Sequence, residues 1–291
     1  MKNEMDSAAI AFMIAAQNPD GGWGYALRQS SAVEPTSAML MAIRESPNSF
    51  ESYKKGCNWL RSGQHPDGGW GYNRDDKESG WHTAWAVIAL GRSEFSDKKL
   101  KNGIKWLLNT KALQITGDER VRSAKRILAI DSSLYGWPWF CGQASFIEPT
   151  ALSLIALQSA INSGSAHERL HNALRYIEDR RCPGGGWNVG SPMMFNVPLP
   201  ARAHPTAWVL LALSCLAPET ILPEDVRALR SDMLQEGGAL ALAWGLLALR
   251  TLGKDDSLVE TRLFKLRLAN GGWANNPYVT AVALMANRGH F

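Results

Sequence analysis

Asn18-Pro19-Asp20-Gly21-Gly22-Trp23-Gly24-Tyr25 is repeated almost letter for letter as His65-Pro66-Asp67-Gly68-Gly69-Trp70-Gly71-Tyr72. Shorter echoes are Gly184-Gly185-Gly186-Trp187 and Asn270-Gly271-Gly272-Trp273. Tyr135-Gly136-Trp137-Pro138-Trp139 keeps the Trp without the Gly-Gly pair. Internal repeats dictate an architecture before any single motif is read. A Thr follows three of these Trp residues at a fixed distance of thirteen: Thr36 after Trp23, Thr83 after Trp70 and Thr150 after Trp137. Thr206 and Thr280 follow Trp187 and Trp273 at longer and shorter distances.

Each Thr opens an apolar segment such as Thr83-Ala84-Trp85-Ala86-Val87-Ile88-Ala89-Leu90. A sixth copy begins at Leu242, without the Thr or the Trp loop, but still after Gly237-Gly238. Segments that are apolar all round are buried on every side, and these are far too short to span a membrane. Upstream of each loop lies an amphipathic stretch with one aromatic residue, as in Gly56-Cys57-Asn58-Trp59-Leu60 and Gly103-Ile104-Lys105-Trp106-Leu107. The unit is outer helix, Gly-Trp loop, inner helix, with a period of roughly forty residues. An open solenoid would need polar capping repeats. The first unit (6–44) and the last (258–288) are as apolar as the others. The expectation is therefore all-α: an α6/α6 toroid, a closed ring of six helical hairpins, in one domain over residues 1–291.

An apolar content of 45% and a charged content of 20% are ordinary for a globular protein. A net charge of +4 selects no particular partner. The four cysteines show no CxxC spacing, which suggests neither a zinc ribbon nor a disulfide framework. The apolar run over 8–16 follows Glu4 and Asp6 and is needed as the first outer helix, so it reads as part of the fold and the protein as cytoplasmic. Nothing resembles a nucleic-acid module, and the Gly-rich loops lack the phosphate-binding pattern. The third unit carries about twenty extra residues near 110–131. Val121, Ala124 and Leu128 share one helical face there, with Arg120, Arg122, Lys125 and Arg126 around the rest. This is either a solvated surface helix or an element facing a membrane or gating a substrate.

In a ring of parallel inner helices, all inner N-termini lie at one end. The residues two before each Thr are Glu34, Trp81, Glu148, His204 and Tyr278, and His82 lies one before Thr83. These groups are expected at one mouth, above a tube carrying Trp85, Trp208 and Trp244. An apolar cavity with a few convergent polar groups is the default binding site. Trp137, Trp139, Phe140 and Phe146 share the loop of Glu148 and complete the expected substrate-binding set. Pro suits the first helical turn, which places each Glu of Glu-Pro-Thr at the helix cap. The helix dipole favours a carboxylate there, whereas a general acid must be held protonated by burial or a second carboxylate. Both a capping and a catalytic role stay open.

Gln17-x-x-Asp20-Gly21-Gly22-Trp23 and Gln64-x-x-Asp67-Gly68-Gly69-Trp70 resemble the QW repeats of squalene-hopene and oxidosqualene cyclases. The Gly-Gly-Trp plus Thr-Ala pattern is similar to that of protein prenyltransferase β subunits and, more distantly, complement-type thioester domains. The resemblance spans the chain and implies the α/α-toroid superfamily. It implies an acid two residues before an inner-helix Thr; the cyclase DxDD is absent, and Glu34 and Glu148 stand at that offset. A zinc prenyltransferase is implied only by His82, since no Asp-x-Cys partner appears, and no metal or other cofactor is expected.

His167-Glu168-Arg169-Leu170-His171 spells the zincin signature, but a capping box of Ser165 and Glu168 at an outer-helix start explains the Glu as well. The leading expectation is an isoprenoid-handling enzyme, an acid-initiated class II-like terpene cyclase. Its catalytic group would be Glu148 with Glu34 and His204, and its ligand an apolar isoprenoid or lipid-like molecule; a peripheral membrane contact is admitted. The alternative is a non-catalytic toroid that binds a hydrophobic ligand or a protein partner.

Overall fold

The computed structural model describes residues 2–46, 48–93, 98–158 and 164–289, with side chains described from residue 6 onward and, in the helix that begins at 164, from residue 167. Helix is the main element among these residues. The outer helices are α1 (Lys2–Ala15), α3 (Phe50–Ser62), α5 (Lys98–Asn109), α8 (Gly164–Asp179), α10 (Pro223–Glu236) and α12 (Ser257–Lys265). The inner helices are α2 (Val33–Ile43), α4 (His82–Gly91), α7 (Ile147–Leu157), α9 (Ala203–Leu216), α11 (Ala239–Thr251) and α13 (Pro277–Arg288). One additional helix, α6 (Asp118–Leu128), lies within the inserted stretch. Two short hairpins pair β1 (Trp137–Pro138) with β2 (Ser145–Phe146) and β3 (Met193–Met194) with β4 (Val197–Pro198). No helix among the described residues is long and apolar enough to cross a membrane.

The chain forms two compact units. One comprises Met1–Trp106 with Gly237–Phe291, and the other Leu107–Glu236. In the first, α4 packs on α2, α2 on α13 and α13 on α11. In the second, α7 packs on α9, with α8 and α10 outside them. The inner helices are buried over nearly their whole length, as expected from segments that are apolar all round.

The Trp–Thr pair is the joint of each hairpin. The backbone N–H of Trp23 donates to Thr36 Oγ1 at 2.9 Å, and Trp70 to Thr83, Trp137 to Thr150, Trp187 to Thr206 and Trp273 to Thr280 do the same at 2.8–3.0 Å. Each indole N–H then donates to a carbonyl of the preceding outer helix: Met13, Leu60, Leu107, Ile177 and Leu263. Both donors of a fully buried Trp are thereby satisfied, which matters because an orphaned buried donor costs about 1–3 kcal/mol. The sixth copy has neither partner, which fits a bond that needs both.

The Gln and Asp of the QW repeat join one hairpin to the next. Gln17 Nε2 donates to the carbonyls of Gly21 and Ser52, and Gln64 Nε2 to those of Gly68 and Lys99. Asp20 accepts from the Trp59 indole at 2.7 Å, and Asp67 from Trp106 at 2.9 Å. Gly21 and Gly68 share a φ of 95°, open to glycine and strained for other residues. Gly56 and Gly103 let the outer helix approach the Trp ring: a Cβ would lie 2.7 Å from Trp23 at the first and 2.8 Å from Trp70 at the second.

In the insertion, Ala124 is buried and Val121 is 40% exposed. The stretch is tied down at two points, where Leu113 N–H donates to Gln143 O and Phe195 N–H to Ile127 O.

Candidate functional site

The two Glu-Pro-Thr copies occupy the same helical position. Ala32 caps α2 and Phe146 caps α7, both extended and without a side-chain cap bond. Glu34 and Glu148 are therefore the second helical residues, a correction to the expectation that they sit at the cap. The reason is local: an extended apolar residue precedes each helix, and the Thr hydroxyl that might cap the turn is occupied by the Trp joint.

In the first unit, Glu34 is only 8% exposed. The Tyr25 hydroxyl donates to its Oε2 in a very short hydrogen bond. Tyr278 packs edge-on against Tyr25 with ring centroids 5.5 Å apart. Its buried hydroxyl makes no hydrogen bond of full geometry, yet it feels both Glu34 and the Trp244 indole. Burial, and then the charge of Glu34, push both phenols far above the usual tyrosine range, so both stay protonated. An aromatic wall continues through Tyr72 and His82 on one side and through Trp85 and Trp244 on the other. Trp81 is half-buried beside His82, 4.6 Å between centroids. Burial pulls the His82 imidazole down to about 4, against a smaller opposing pull from Asp76. It is neutral at pH 7.

In the second unit, Glu148 Oε1 lies 3.2 Å from His204 Nδ1, with the carboxyl side chain 17% and the imidazole 37% exposed. The Trp208 indole donates to His204 Nε2 at 2.9 Å. A donor facing Nε2 requires that nitrogen to be the acceptor, which leaves the proton on Nδ1 and aimed at Glu148. Glu148 and His204 stand at matching positions of adjacent inner helices, so the repeat itself brings them together. Trp139 and Phe146, 6.2 Å apart, and Phe140 are half-buried on the same loop.

Three expected ligand contacts have little surface to offer. Trp85, Trp208 and Trp244 are 0–1% exposed. The Trp85 and Trp244 rings pack against each other with centroids 6.2 Å apart, and Trp208 is hydrogen-bonded to His204. Trp137 is 1% exposed and belongs to the third Trp–Thr joint, with the Arg169 guanidinium 3.6 Å above its ring. Repetition explains this placement: the loop that lacks Gly-Gly still uses its first Trp as the joint. Tyr25, which the sequence reading passed over, is the direct partner of Glu34; its signal was its place two residues after Trp23 in the repeated phrase. Trp208, expected as a ligand contact, is the partner of His204, in keeping with an i, i+4 spacing on a helix.

On α8, the His167 and His171 rings stack 6.4 Å apart. Among the described residues, no group of three or more His, Cys, Asp or Glu side chains could hold a metal ion. Ser165, the other half of the expected capping box, lies outside the residues whose side chains are described.

Residues 1–125 match the family of the squalene-hopene cyclase C-terminal domain. Curated protein sequences give no match. Among solved structures, the type II terpene cyclase MstE from Scytonema, in complex with its substrate geranylgeranyl dihydroxybenzoate, is 17% identical with a TM-score of 0.64, over 99% of this chain and 97% of that one. An α-amylase from Clostridium perfringens is 11% identical with a TM-score of 0.69, over 99% and 98%. An inactive variant of an α-1,6-mannanase of Salegentibacter, in complex with α-1,6-mannotriose, is 10% identical with a TM-score of 0.60, over 99% of both chains. At such identities the likeness shows the fold, and the fold alone does not choose a chemistry. The first 125 residues thus carry the cyclase-type repeat, and the chain shares the α/α-toroid fold of these structures.

Proposed function

We propose that the chain is an acid-initiated, class II-like terpene cyclase acting on an apolar polyene, with Glu148 as the acid. The observation that carries this reading is the Glu148–His204–Trp208 relay at the start of α7 and α9. A protonated Glu148 gives its proton to the less substituted carbon of a trisubstituted alkene. The π pair forms the new C–H bond and leaves a tertiary cation. The next alkene of the same molecule attacks that cation and closes a ring. Loss of a proton from the final cation ends the sequence, and the carboxylate regains a proton from water. His204 Nδ1–H faces Glu148 at 3.2 Å and bonds the carboxylate left after the first step. A carboxyl positioned in this way contributes about 10²–10⁴-fold to a rate. The half-buried faces of Trp139, Phe140 and Phe146 attract a developing cation. The cyclase neighbour bound to geranylgeranyl dihydroxybenzoate supports an isoprenoid substrate class.

The test is a product assay. Wild-type protein and Glu148→Gln are incubated with squalene and with geranylgeranyl-bearing phenolic acids, and the extracts are analysed by mass spectrometry. A cyclised product that disappears in the variant supports the reading. A product that survives the substitution moves the acid elsewhere. Absence of product together with co-purified lipid favours a non-catalytic carrier.

A further inference from the structure

The second unit contains a pocket of about 630 Å³ that neither Glu148 nor His204 lines, and of the proposed cyclase aromatics only Phe146 borders it. It lies beneath the insertion, walled by Leu113, Leu128, Leu134, Phe146, Met194 and Leu199. Its volume and apolar lining are those of a small-molecule site. The two backbone ties of the insertion, from Leu113 and to Ile127, hold its walls in place. Ser132 lies at one end. Its hydroxyl is 93% buried by residue exposure and has no hydrogen-bond partner. An unsatisfied buried hydroxyl on an apolar wall costs free energy unless something arrives to bond it.

Beyond Ser132 and Ile130, both shared, a second and more polar pocket of about 590 Å³ continues past Lys125, Asp131 and Asp179. The two arginines that line the apolar pocket are already committed: Arg180 pairs with Asp179 and lies 4.6 Å over the Tyr176 ring, and Arg202 pairs with Asp232. Two carboxylates at this end repel an anion, and Lys125 opposes a cation.

We propose that this pocket is a binding site for a single-chain, electrically neutral amphiphile, a long-chain alcohol, whose hydroxyl bonds Ser132 and whose tail fills the apolar end. The site is separate from Glu148 and does not depend on the cyclase reading.

Isothermal titration calorimetry with decanol and decanoate tests the site on the intact chain, with a diazirine-tagged decanol to map it by crosslinking. Decanol should bind at least tenfold more tightly than decanoate. Ser132→Ala should weaken decanol about tenfold and leave decanoate unchanged. Met194→Glu, at a wall position already 46% exposed, should weaken decanol without disturbing the fold. Crosslinks should fall within residues 113–134, 144–146, 176–180 and 188–202. Equal affinity for the two probes, an unchanged Ser132→Ala, or crosslinks confined to the inner helices would each overturn the proposal.

Discussion

Val33-Glu34-Pro35-Thr36 and Ile147-Glu148-Pro149-Thr150 are the same phrase at the same helical position, yet their carboxyls have different fates. Glu34 is sealed under Tyr25 and against Tyr278, with 8% of its surface exposed. Glu148 keeps 17% of its side chain exposed and faces an imidazole. The repeat sets where a carboxyl sits. The residue at the same offset in the neighbouring hairpin, Tyr278 for one and His204 for the other, sets what it can do. Of the two carboxyls, Glu148 is the more accessible.

The comparison breaks most readily on activity. Glu148→Gln should lower cyclisation by about 10²–10⁴-fold, the usual contribution of a positioned acid. Glu34→Gln, which keeps the shape of the side chain, should stay within several-fold of wild type. Initial rates by mass spectrometry on both variants decide the matter, and a reversed order would place the acid in the first unit.

Much of the scaffold was legible because repeats print the same constraint several times. Trp23, Trp70, Trp137, Trp187 and Trp273, each followed by a Thr, marked the hairpins, although not the hydrogen bond that pairs them. The offset gave Glu148 and His204 the same place on their inner helices, but not that the two would pair. Less legible was which aromatics remain accessible. Trp85, Trp208 and Trp244 look the same in sequence whether they line a tube or fill it, because that depends on how closely the helices pack. The pocket beneath the insertion was illegible: it arises from backbone ties, Leu113 to Gln143 and Phe195 to Ile127, that carry no side-chain signature.

If the two copies share a scaffold and differ only in chemistry, breaking the joint should cost the same in both. Thr36→Val and Thr150→Val each leave a buried Trp N–H without its acceptor. Each should destabilise by about 1–3 kcal/mol, with the two values close together. Urea unfolding measures this, and a cost confined to one variant would show that the joints are not equivalent.

The aromatic wall of the first unit also predicts a dependence on pH. His82 titrates at about 4 when folded, below its unfolded value of roughly 6.5. The stability from keeping it neutral is complete above roughly pH 6.5 and is lost as pH falls toward about 4, because the unfolded chain takes up the proton first. Between pH 7 and pH 5 this amounts to about 2 kcal/mol. The His82→Phe variant should lose that slope in denaturation at the two pH values. An unchanged slope would assign the acid sensitivity to another group.

The smallest effect belongs to Trp208, the outermost member of the relay in the second unit. Its indole donates to His204, so Trp208→Phe should act through the imidazole and lower the rate by about tenfold or less, the scale of one hydrogen bond. Lost packing alone could produce a drop of that size, so the rate does not decide the question. The tautomer does. With the indole in place, Nε2 must accept and Nδ1 must carry the proton; without it, either nitrogen can. Nitrogen-15 shifts of His204 should report a single Nδ1–H form in the wild type and a mixture in Trp208→Phe, while His82, in the other unit, stays unchanged. A single tautomer in both proteins would mean that Glu148 alone orients the ring, and the relay would shrink to a pair.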